Sequence, residues 1–75
     1  MDIERLVQMA NDIGAYFASE PDRAAAIAGM VSHLERFWDP RMRRQLLAHL
    51  AMGGAGLADL PRAAVADLAT RTRPP

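Results

Sequence analysis

Apolar residues recur at three- and four-residue intervals along most of this chain, the pattern of helices with one buried face. From Asp2 to Ala18 the stripe is Ile3, Leu6, Val7, Ala10, Ile13, Gly14 and Phe17. Asp2 and Glu4 stand where a helix N-terminus favours negative charge. Gly14 falls on the stripe although glycine weakens a helix interior by about 1 kcal/mol relative to alanine. Its expected role is close packing against another helix. Ser19-Glu20-Pro21-Asp22 breaks the first helix, and the Ser19 to Asp22 spacing matches a capping box. A second helix is expected over Asp22 to Trp38, with Ala24, Ile27, Ala28, Val31, Leu34 and Trp38 as its stripe and Met30 and Phe37 beside it.

Asp39-Pro40 stops that helix and starts another. A residue before proline is pushed out of the helical region, and proline suits the first helical position. Asp39 can then cap the new helix. This third helix runs from about Pro40 to Met52, with Met42, Leu46, Leu47 and Leu50 on its apolar face and Arg41, Arg44 and Gln45 largely elsewhere. Gly53-Gly54-Ala55-Gly56 ends it. A short fourth helix follows from Pro61 to about Thr70, with Val65 and Leu68 inward and Asp67 and Arg71 spaced to pair. No strand pattern or repeat is visible. The expected fold is all-α, a small bundle of three main helices plus a short C-terminal helix. It forms one domain over residues 1–71, with 72–75 a frayed tail.

Composition sharpens this outline. Seventy-five residues make one small domain, and 15 of them are Ala, so the core is narrow and the helices must approach closely. Cys is absent, which excludes disulfides, thiolate metal sites and thiol nucleophiles. All nine basic residues are Arg, and nine acids balance them to a net charge of zero. That balance disfavours a nucleic-acid footprint. No secretory pattern and no membrane-length apolar run is present, so the expected location is cytoplasmic.

Most candidate chemistry has an ordinary explanation. The glycines of 53–56 lack the Gly-Lys-Ser/Thr continuation of a phosphate loop and read as a helix stop. His33 and His49 have no catalytic companions in the sequence and read as structural or surface residues. Met9, Met30, Met42 and Met52 have no Cys or paired His to support metal ligation and read as gap fillers. No catalytic, cofactor-binding or metal-binding residue is therefore assigned.

The segment Arg36 to Arg44 is different. It concentrates the only Trp, one of two Phe and four of the nine Arg. Phe37 and Trp38 are adjacent, so they point about 100° apart and cannot both face the core centre. One of the pair is expected at the rim, as an interface anchor. Arg41, Arg43 and Arg44 lie in the first turn of the third helix, where they oppose the helix dipole. They fit a solvated face, an anion site, or a polar rim around an aromatic anchor. Residues 35–44 carry a net charge of only +2, because Glu35 and Asp39 offset four Arg. Phe37, Trp38, Arg41, Arg43 and Arg44 are the candidate partner-binding residues.

This segment also carries a family resemblance. Phe37-Trp38-Asp39-Pro40-Arg41-Met42-Arg43 resembles the delta subunit of NAD-dependent, molybdenum-containing formate dehydrogenase. Supporting motifs are Leu6-Val7-Gln8-Met9-Ala10-Asn11-Asp12-Ile13-Gly14 with Phe17, Val31-Ser32-His33-Leu34, and the glycine break with Leu60-Pro61 to Val65. The resemblance implies a non-catalytic accessory subunit of a cytoplasmic complex, bound to the large molybdenum subunit and supporting assembly or stability of active enzyme. The family's complexes carry bis-molybdopterin guanine dinucleotide, iron–sulfur clusters and flavin on other subunits, so no cofactor is expected here. Two alternatives stand beside it. One is a chaperone that assists insertion of the pterin cofactor, with Arg41 and Arg43 holding its phosphates. The other is a small helical DNA-binding domain, which the charge balance disfavours.

Overall fold

Three aspartates start three helices. In a computed structural model that describes residues 2–72, Asp2 precedes α1 (Ile3–Phe17), Asp22 precedes α2 (Arg23–Phe37) and Asp39 precedes α3 (Pro40–Ala51). Each carboxylate accepts a backbone N–H two residues on: Glu4 at 3.2 Å, Ala24 at 3.0 Å and Arg41 at 2.7 Å. Such caps satisfy donors that a helix leaves unpaired and are worth about 1 kcal/mol each. α4 (Asp59–Thr72) completes an all-helical fold with no strand among the described residues. Residues 73–75 of the expected tail lie outside the described residues, and Thr72 closes α4.

Two helix starts differ from the sequence expectation. Ser19 does not cap α2; its Oγ–H donates to the Tyr16 carbonyl at 3.1 Å and so finishes α1. Asp22 is the cap instead, and Glu20 supports it by accepting the Asp22 N–H at 3.2 Å. The fourth helix begins at Asp59, ahead of Pro61, and runs for 14 residues. Pro61 is still within the first turn, where a missing N–H costs nothing.

The core is built from Leu6 and Ala10 of α1, Met30, Val31 and Leu34 of α2, Trp38, Leu46 of α3, Leu57, and Ala64, Val65 and Leu68 of α4. The α1 stripe is as the spacing predicts. The α2 stripe is turned: Ala26, Met30, Val31 and Leu34 are buried, Ile27 is half-buried, and Ala24 and Ala28 are exposed. The reason is the alanine-rich start of the helix. Alanine is tolerated on either face, so Ala24, Ala25, Ala26 and Ala28 give the periodicity no phase. The bulky side chains that meet α4 set the rotation, and α2 shares its largest contact with α4.

Gly14 is buried where α1 meets the start of α4, and a Cβ there would collide with the Pro61 ring, whose Cδ would lie 2.7 Å away. The glycine break after α3 is tied down from three sides. Arg62 donates to the carbonyls of Gly53 at 3.0 Å and Gly54 at 2.9 Å. Asn11 donates to the Gly56 carbonyl and accepts from the Ala58 N–H, each at 2.9 Å. His49 Nε2 meets the Ala55 carbonyl at 2.8 Å. Gly53, Gly54 and Gly56 take φ of 117°, 64° and 86°, the left-handed region that favours glycine, which accounts for these residues as a helix stop.

The α1–α4 contact makes a direct prediction. Gly14→Val forces the Pro61 ring away, and overpacking of this kind costs about 1–3 kcal/mol. Urea unfolding should show a lower midpoint with an unchanged slope; an unchanged midpoint would mean that α4 yields freely.

Candidate docking surface at the α2–α3 corner

The corner is organised by one residue leaving the helical region. Trp38 takes φ −89° and ψ 138°, and Asp39, the residue that Pro40 keeps out of the helical region, is extended too, while the Trp38 N–H still bonds the Leu34 carbonyl at 3.1 Å. Its indole is only 6% exposed and belongs to the core. Phe37, next to it, is 67% exposed. The two aromatics therefore divide as their 100° separation requires. Trp38, expected among the partner-binding residues, is a core residue at this corner.

Arg43 is also committed internally. Its Nη1 donates to the carbonyls of Leu34 and Glu35 at 3.2 Å each, and to that of Trp38. Leu34 and Glu35 belong to the last turn of α2 and Trp38 is its C-cap; the Leu34 carbonyl also accepts the Trp38 N–H. The guanidinium thus lies at the negative end of α2's dipole although its Cα lies near the positive end of α3's. The arginine placement that looks adverse along α3 is favourable across the corner.

The remaining candidates are outward-facing. Arg41 and Arg44 are exposed and make no ion pair among the described residues. The Arg36 guanidinium sits 5.4 Å from the centre of the Phe37 ring, within cation–π range, and likewise has no carboxylate partner there. The start of α3 is not an open anion site, because the Asp39 carboxylate already occupies the Arg41 N–H.

The structure adds residues that the chain's spacing did not single out. Phe37 is the end of a ladder of rings running across α2 to α1. His33 and Phe37 lie 5.0 Å apart between ring centres, Phe17 and His33 6.3 Å, and Tyr16 and Phe17 5.1 Å, the last two edge-to-face. Tyr16 is 76% exposed. Three of the chain's four aromatic residues thus share one side of the bundle. A hollow of about 360 Å³ lies among Ile13, Tyr16, Phe17 and His33. Gly29 makes this possible: a Cβ there would come within 2.8 Å of the Phe17 ring. The four-residue step from His33 to Phe37 was a legible signal; the pairing with Phe17 was not, because it is made between helices. His33 finds its place as a rung of this ladder, and His49 as a bond to the glycine loop. No group of three metal-ligating side chains forms among the described residues.

A second cleft, of about 390 Å³, lies where α1, the start of α2 and the start of α4 meet. Gly14, Ala18, Ala26 and Pro61 line it, and an Arg23–Asp59 ion pair at 2.9 Å spans its edge. Most of its lining is small or apolar, and its polar members are Asn11, Glu20, Arg23 and Asp59.

The family model for the NADH-dependent formate dehydrogenase delta subunit, FdsD, matches residues 5–65. The chain belongs to this delta-subunit family. The match begins in the first turn of α1 and ends within α4, so it contains the whole corner and the whole ring ladder. No curated protein and no solved structure matches the chain significantly. The family places the protein with a formate dehydrogenase complex, and no helix among its described residues is long and apolar enough to cross a membrane.

The division of labour at the delta subunit's corner is testable by stability. Arg43→Ala strips a charge-assisted donor from three carbonyls and should cost about 1–3 kcal/mol. Arg41→Ala and Arg44→Ala should stay within about 0.5 kcal/mol of the parent. Denaturant unfolding followed by Trp38 fluorescence measures all three. Equal effects at the three positions would contradict the clamp.

Proposed function

We propose that this chain is a non-catalytic subunit of a cytoplasmic NAD-dependent formate dehydrogenase complex. It docks on the large molybdenum-carrying subunit and supports assembly or stability of active enzyme. The family match supplies the complex. The observation that carries docking is the exposed Phe37 ring with Arg36 against it, together with exposed Arg41 and Arg44 early in α3, all three arginines without counter-ions among the described residues. An aromatic anchor within a basic polar rim is the composition of an interface centre rather than of a solvated helix face.

The docking residues of the candidate set are then Phe37, Arg41 and Arg44. Trp38 and Arg43 act one step back, by holding the corner that presents them. The alternative of a chaperone holding a cofactor's phosphates gains no support from the corner. Arg43 is turned to α2's carbonyls, and Asp39 fills the helix start.

Co-expression with a tagged large subunit tests the proposal. The chain should co-purify in stoichiometric amount, and omitting it should lower formate oxidation per large subunit recovered. Phe37→Ser with Arg41→Glu should reduce co-purification while far-ultraviolet circular dichroism and Trp38 fluorescence stay unchanged. Trp38→Ala is unsuitable as a contact test, since truncating a buried aromatic costs about 3–5 kcal/mol, comparable to the whole stability of so small a domain. Full activity and stability of a complex made without this chain would sink the proposal.

A further inference from the structure

The exposed aromatic surface is larger than the corner, and it has a definite electrostatic character. Tyr16, Phe17, His33 and Phe37 form a continuous series of ring contacts from α1 to α2, with a hollow at its α1 end and the Arg36 guanidinium at its α2 end. Ring-on-ring contacts hold the outer side chains in place before anything binds, which lowers the ordering cost of association. Tyr16 and Phe37, at the two ends, are the large aromatics left exposed.

We infer that this ladder, and not the arginine corner alone, is the docking face, and that it receives an apolar side chain flanked by carboxylates on another subunit of the complex. The inference rests on the docking reading above and specifies its surface and its partner's chemistry. The apolar side chain fills the hollow among Ile13, Tyr16, Phe17 and His33. The carboxylates meet Arg36, with Arg41 and Arg44 beyond the Asp39-Pro40 turn. Guanidinium groups favour carboxylates through two-point, charge-assisted bonds. A second copy of this chain is the other candidate occupant: a two-fold contact pairs each residue with a different one on the partner copy, so the Arg36 end of one ladder would meet the Tyr16 end of the other and the isolated chain would dimerise.

The test is co-purification with the tagged large subunit in the full complex, read against salt. Tyr16→Asp and Phe37→Asp, made separately, should each weaken retention by about tenfold or more, as loss of an anchor does. Arg36→Glu should weaken it and flatten the salt dependence that the parent shows. Ala66→Glu, on an exposed position of α4, should leave retention unchanged. Circular dichroism and Trp38 fluorescence of each variant establish that the fold persists. Parental retention of both Tyr16→Asp and Phe37→Asp overturns the inference, as does parental salt dependence in Arg36→Glu. An isolated parent that dimerises, with the dimer lost in Tyr16→Asp, assigns the ladder to a second copy and overturns it too. Absence of parental co-purification is a different result: it removes the docking reading itself, and this inference with it.

Discussion

Where α2 ends, one side chain from the next helix gathers the carbonyls of its last turn and cap. Arg43 donates to Leu34, Glu35 and Trp38 carbonyls, and in doing so ties α3 to the end of α2. The corner between them is sharp because Trp38 is extended and Pro40 starts α3 without needing an N–H. Trp38 turns its indole into the core at that same point. Phe37 points outward where Trp38 points inward, and Arg41 and Arg44 are exposed while Arg43 is drawn into this contact. A single guanidinium reconciles two helix dipoles, and the polar and apolar faces of the corner separate around it.

The rest of the bundle is shaped by small residues. A chain rich in alanine cannot fill a wide interior, so its helices come close enough for glycines to matter. Gly14 receives the Pro61 ring, and Gly29 receives Phe17. The second of these approaches reaches the surface as well as the interior. By letting Phe17 lie against α2, Gly29 brings it and Tyr16 into line with His33 and Phe37. The thin core and the exposed ring ladder have one cause, since aromatic bulk that a narrow interior cannot take is left on one side of the bundle.

Much of this was legible along the chain. The aspartates at helix starts, the Asp39-Pro40 break, the glycine stop and the α1 stripe follow from local chemistry that acts over three or four residues. The separation of Phe37 from Trp38 was legible as a geometric necessity, though not which of the two turned inward. The later half of the α2 stripe, Val31, Leu34 and Trp38, was legible; its start was not, because alanines carry no phase. Arg43 was misplaced for a related reason. Its charge opposes the dipole of its own helix, and nothing in the linear spacing reveals that α2's carbonyl end lies beside it. Tyr16 and Phe17 gained meaning only beside His33, which is 16 residues beyond Phe17 in the chain.

The sequence by itself determined the helices, their caps and stops, the absence of thiol chemistry, the balanced charge, and the resemblance to a delta subunit. These are properties of residue type and of spacing within a helical turn. Only the tertiary structure decided which arginines are free, which aromatic is core, and which rings form one surface. Those outcomes depend on how two helices are rotated and how closely they approach. That is set by the side chains that meet between them, and no periodicity along a single helix encodes the neighbour it will meet.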